Sequence, residues 1–167
     1  MGEKLVKWQQ PFHLGCLMIR YCLILLACLS FPTASFAEST PPYWASISAG
    51  KARMRTGPGQ QFPVVWMYQR AGLPVKVVAT YPSWRKIVDP DGTTGWMQAN
   101  LISDKLAAIV LGDVRPLRNR PEASGKIVLR VAPGVSGAIS ECGLGWCRFE
   151  VAGKAGYIES AHIWGGN

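Results

Sequence analysis

From residue 45 onward the chain alternates between short apolar runs and turn residues. Val64–Tyr68 (VVWMY), residues 75–80 (VKVVAT) and Trp84–Val88 (WRKIV) are rich in β-branched and aromatic side chains, with Gly, Pro and Asp between them. Asp89-Pro90-Asp91-Gly92 is a turn signal ahead of a further strand at Gly95-Trp96-Met97. Ile127–Val131 and residues 138–140, 149–151 and 156–158 follow in the same order. No window of helical length carries a 3.6-residue period. The closest candidate, residues 103–111, has its apolar residues in one block and reads as a linker entering a new strand. These patterns predict an all-β chain.

The strands repeat. Arg55 aligns with Arg118, Gly72 follows Arg55 by 17 residues, and Gly134 follows Arg118 by 16. Trp84 lies 12 residues after Gly72, Trp146 lies 12 after Gly134, and Gly95-Trp96 matches Gly156-Tyr157. Two single-residue gaps hold this register across the unit, which predicts two copies of one small domain at residues 45–103 and 107–165. Units of about 60 residues bury a marginal core, so packing between the copies is expected.

The N-terminus sets the compartment. Lys4, Lys7 and Arg20 precede an uncharged apolar run, residues 21–31 (YCLILLACLSF), and Ser35-Phe36-Ala37 places small residues at the −3 and −1 positions of a cleavage site. Residues 1–37 therefore read as a secretory signal peptide, cleaved after Ala37, with residues 38–44 as a linker. The alternatives are a buried helix, which would lack amphipathic period and cap, and lipidation at Cys28, for which Leu26 is a poor match. The run is too short to span a bilayer, so no stable membrane span is expected after cleavage, and the protein is expected in the periplasm or outside the cell. The whole chain has 18 Lys and Arg against 10 Asp and Glu; removing three basic and one acidic residue with the signal leaves a formal +6. A basic surface favours anionic partners. Nucleic acid is not expected, because the chain is exported and has no dense Lys/Arg cluster.

At these residues the sequence resembles the bacterial Src-homology-3 (SH3-like) domains. Their opening Arg-x-Gly-Pro, their Gly-x-x-Val turn and strand, their Trp-x-Lys-Val and their closing Gly-Trp correspond here to Arg55-Thr56-Gly57-Pro58, Gly72 to Val75, Trp84-Arg85-Lys86-Ile87 and Gly95-Trp96. The second copy departs from the pattern at Asn119-Arg120-Pro121 and at Tyr157. The resemblance implies two tandem small β-barrels of five to six strands each. It also implies a recognition module, often for cell-wall peptides in exported proteins.

The candidate chemistry is that of binding, not of catalysis. The chain beyond residue 37 has a single histidine, His162, and no nucleophile elbow, zinc-protease or phosphate-loop motif, so no catalytic residue, cofactor or metal is expected. Cys142 and Cys147 flank two glycines and, in an oxidising compartment, suit a disulfide; two free buried thiols are the alternative. On strand Trp84–Val88 alternation puts Trp84 and Lys86 on one face and Arg85 and Ile87 on the other. Cys147 and Phe149 occupy the latter face in the second copy, which marks it as the core and turns Trp146 and Arg148 outward. An indole beside a cation can hold a peptide by apolar contact and pair its carboxylate. Trp84, Lys86, Trp146 and Arg148 are thus candidate ligand residues, with Trp96 and Tyr68 as further walls. The competing role for each Trp is packing under a loop or between the copies, and Arg55 is expected to hold loop carbonyls. Two functions fit: a cell-wall peptide or glycan binder, or an envelope protein–protein adaptor. The oligomeric state stays open.

Overall fold

The computed structural model describes residues 39–166. The expected signal peptide, its cleavage point after Ala37 and Cys28 lie outside these residues. The described residues form one compact unit made of two seven-stranded antiparallel sheets.

The first sheet comprises β1 (Tyr43–Ile47), β2 (Ala52–Arg55), β3 (Val64–Tyr68), β4 (Pro74–Tyr81), β5 (Trp84–Val88), β6 (Thr94–Gln98) and β7 (Ile102–Ser103), in the order β3-β2-β6-β5-β4-β1-β7. The second comprises β8 (Ala107–Val110), β9 (Arg115–Arg118), β10 (Ile127–Val131), β11 (Ser136–Gly143), β12 (Trp146–Val151), β13 (Lys154–Glu159) and β14 (Ile163–Trp164). Its order, β10-β9-β13-β12-β11-β8-β14, is the first one displaced by seven strands, so the sequence repeat is a repeat of topology. A 3-10 turn precedes the last strand of each sheet, at Ala99–Leu101 and Ser160–His162.

Each sheet curls around its own core, because the inward residues of successive strands meet in one cluster. Ile47, Met54, Val75, Val77, Ile87 and Met97 fill the first. Val110, Leu117, Ile139, Phe149 and Ile158 fill the second at matching positions. The paired Gly-aromatic steps have a packing cause. A Cβ at Gly95 would lie 2.5 Å from Met54 Cγ, and one at Gly156 would lie 2.8 Å from Leu117 Cβ. Only glycine lets β6 and β13 pass so close to the neighbouring core strand.

The two barrels touch. Trp44 of β1 meets Trp164 of β14 edge-to-face with ring centroids 4.7 Å apart, and Lys76 Nζ lies 5.4 Å from the Trp44 ring centre. Ser46 Oγ donates to the carbonyl of Lys105 at 2.7 Å, and Ser136 Oγ donates to the carbonyl of Gly72. These bonds tie the linker and the second sheet to the first.

Candidate functional site

The outer face of the first barrel is assembled from alternate residues of neighbouring strands. On β2, Met54 enters the core while Arg53 and Arg55 point away from it. Arg53 stands opposite Met67 of β3, and Arg55 stands opposite Trp96 of β6. On β5, Ile87 enters the core, and Trp84 and Lys86 lie on the opposite face, across from Gln98 and Trp96 respectively.

Trp84 faces outward yet is only 8% exposed. It lines a cavity of about 320 Å³ together with Lys51, Arg53, Arg55, Gln60, Met67, Gln98 and Leu101. The cavity thus pairs an indole with three cations, and no carboxylate is among its lining residues. One rim is fixed by Arg55, whose Nη1 donates to the carbonyl of Phe62 at 2.7 Å and holds the 56–63 loop against the barrel. Arg118 makes the same bond to the carbonyl of Gly125 at 2.7 Å, as expected of this arginine position.

The structure separates the residues that the sequence grouped. Lys86 and Trp96 are direct cross-strand neighbours, and Trp96 meets Tyr81 edge-to-face at 6.4 Å, but neither lines the Trp84 cavity. Lys86, Trp96 and Tyr81 form an adjoining, more open surface. Tyr68 is not a wall of this face at all: it turns inward at the end of β3 and is buried in the core cluster. Its hydroxyl donates to Asp89 Oδ2 at 2.8 Å, while Asp89 Oδ1 accepts the backbone N–H groups of Asp91 and Thr93. Desolvation by burial, reinforced by the hydrogen bond to Asp89, raises the Tyr68 phenol well above its usual range. The physical reason for the misplacement is that VVWMY is apolar throughout, so alternation within it does not distinguish the faces.

The second barrel builds the corresponding cavity differently. Arg115, Pro116, Arg118, Trp146, Ile158, Glu159 and His162 enclose about 100 Å³. Glu159 replaces Gln98 and His162 replaces Leu101 in the aligned repeats, and their side chains approach to 3.3 Å. Arg148 stands opposite Tyr157, as Lys86 stands opposite Trp96, but lies 3.8 Å from Glu150. The second cavity is therefore smaller and its positive charge is partly offset. Lys51, Arg53, Gln60, Met67, Gln98 and Leu101 were not singled out from the sequence. Alternation around buried Met54 was the available signal for Arg53.

Cys142 and Cys147 form a disulfide across the β11–β12 hairpin, with Cα atoms 4.1 Å apart. The intervening turn places Leu144 at φ 49° and Gly145 at φ 81°, the two positive angles that a tight two-residue hairpin turn requires. Among the described residues, no three His, Cys, Asp or Glu side chains gather as metal ligands.

Comparison with known protein families agrees with this architecture. The family described as "Bacterial SH3 domain" matches residues 48–104 and again residues 112–165. No curated protein matches the chain. Similar solved structures include NlpC1 from Trichomonas vaginalis, at 13% identity and TM-score 0.35 over 78% of this chain and 48% of that one. Another is an NlpC/P60 family protein from Bacillus cereus ATCC 10987, at 14% identity and TM-score 0.34 over 75% and 57%. The chain spans about half the length of these structures, 48% of the first and 57% of the second. The two family matches coincide with the two sheets and together cover most of the chain, so this protein belongs to the bacterial SH3 domain family and carries two tandem copies of that domain.

Proposed function

We propose that this protein is a non-catalytic, exported binding module that holds cell-wall peptide or glycan, and that the Trp84 cavity of the first domain is its principal site. The observation that carries the proposal is the cavity's lining: an indole with Lys51, Arg53 and Arg55 and no acid. An indole gives an apolar plane to a sugar ring or an alkyl chain, and guanidinium groups pair carboxylates in forked geometry. Wall peptides and their glycan supply both features. The second domain, with its smaller cavity and internal Glu159–His162 pair, contributes less.

The test is sedimentation of the purified protein with wall sacculi. Binding at low salt is expected, weakening as salt screens the cations. Arg53 is exposed at the cavity rim, so reversing its charge leaves the fold intact. Arg53→Glu is expected to lower affinity about tenfold or more, a change of roughly 1.4 kcal/mol. A protein that stays in solution with sacculi at low salt, or one unaffected by Arg53→Glu, overturns the proposal. Recovery of one recurrent protein partner by cross-linking would favour an envelope adaptor.

A further inference from the structure

Among the described residues, strand β3 has hydrogen-bonded neighbours on one side only, those of β2. It is also the most apolar exposed strand among the described residues. Val64, Val65, Trp66 and Met67 are all exposed, Trp66 to 59%, and Phe62 just before them is exposed as well. Edge strands of this kind are normally protected by charge, because their free N–H and C=O groups template another strand. The second domain shows that protection. Its equivalent strand, β10, alternates half-buried and exposed residues and carries exposed Arg130 where β3 has Met67. The same fold, twice in one chain, has one guarded edge and one open edge.

We propose that β3 is the surface through which two copies of this chain pair, edge to edge and antiparallel. The strand is complementary to itself. With Trp66 on the twofold axis, Val65 of each copy stands opposite Met67 of the other, so each cross-strand pair is apolar. The exposed side chains of residues 62 and 64–67 present on the order of 400 Å² per copy, against roughly 800 Å² per partner in a standard stable interface. That area makes the pair a weak, concentration-dependent dimer. Charge does not prevent it. Arg53 lies on β2, so the two copies of Arg53 are separated by three strand spacings, roughly 14 Å, beyond the screening length of about 8 Å at physiological salt. A twofold axis perpendicular to the joined sheet keeps both outer faces on the same side. Met67 lines the Trp84 cavity, so pairing brings two such cavities together on that side. Two adjacent sites on one face suit a polymer with a repeating unit, through avidity. This last consequence alone rests on the wall-binding proposal.

Analytical ultracentrifugation of the protein, expressed from its full-length sequence and purified in the form the cell yields, tests the pairing. A dimer with a dissociation constant in about the micromolar range is expected, tightening as salt rises. Trp66→Lys and, separately, Val65→Glu should abolish it while leaving the far-ultraviolet circular dichroism unchanged. Val128→Lys on the equivalent strand β10 should leave the dimer intact. A monomer at every concentration up to the millimolar range overturns the inference, and so does a dimer that survives both β3 variants. Sacculus binding by a protein that stays monomeric would sink the pairing and leave the wall-binding proposal standing. A β3-dependent dimer that ignores sacculi would do the reverse.

Discussion

Tyr68 donates its hydroxyl proton to a carboxylate that is itself only 7% exposed, and that carboxylate also caps the turn from Asp89 to Thr93. Removing the hydroxyl takes one of three donors from a buried anion. Tyr68→Phe is therefore expected to cost about 1.5–3 kcal/mol in urea denaturation, the usual range for a hydrogen bond to a charged group. A pH signature distinguishes this bond from simple packing. Burial and Asp89 raise the phenol above its unfolded value of 10.0, so the folded state favours the protonated form. That contribution is fully present below pH 10.0 and is lost as pH climbs beyond it. Stability of the parent should accordingly fall more steeply above that pH than stability of Tyr68→Phe, and parallel slopes would falsify this account. Gly95 makes a second residue-scale case. The Cβ of Gly95→Ala would collide with Met54 and the carbonyl of Arg55, so a loss of about 1–3 kcal/mol is expected from overpacking in thermal or urea unfolding.

At the scale of elements, strand alternation carries most of what the amino-acid sequence reveals. It puts Ile87 and Phe149 inside, and the internal repeat predicts the same succession of strands along both domains. It also put Trp84 and Lys86 on one face, which they share. It does not reveal that Trp84 is only 8% exposed, beside a cavity whose other lining residues, from Lys51 to Met67 and at Gln98 and Leu101, are brought to it by the fold. Nor could it place Tyr68, whose strand has no polar residue to mark a face and carries a register shift opposite Met54 and Arg55. The β11–β12 hairpin was more legible, since two glycines between two cysteines describe a tight turn with a bridge across it. Closing so short a loop removes chain entropy worth about 2 kcal/mol. Reduction of Cys142–Cys147 should lower stability by about that amount in urea unfolding followed with and without reductant. Cys142→Ser/Cys147→Ser should behave as the reduced protein does. No difference between oxidised and reduced protein would mean that the turn at Leu144-Gly145 holds the hairpin without help.

The whole molecule raises the question of how two domains of about 60 residues, each near the lower limit for a self-sufficient core, come to be stable together. The answer suggested by the contacts is mutual support. Trp44 comes from the first strand of the first barrel and Trp164 from the last strand of the second, so their edge-to-face pair closes the unit end to end. Ser46 and Ser136 fasten the linker and the second sheet from the other direction. Cys147 of the second core lines the same inter-domain cavity as Trp44, Lys76 and Trp164, so this contact reaches the hairpin that the disulfide closes. If these contacts couple the domains, calorimetry should record one cooperative transition for the parent. An aromatic pair of this geometry adds roughly 0.5–1.5 kcal/mol beyond the area it buries, a sizeable share of what a domain this small possesses. Trp164→Ala is therefore expected to split the single transition into two, with the barrel of residues 107–164 melting first because it also loses the side chain from its own edge strand β14. Trp44→Ala should split it in the opposite order, for the same reason applied to β1. A parent that already melts in two steps, or variants that melt in one, would show that the barrels fold independently. The Trp84 cavity of the first barrel would then stand without structural help from the second.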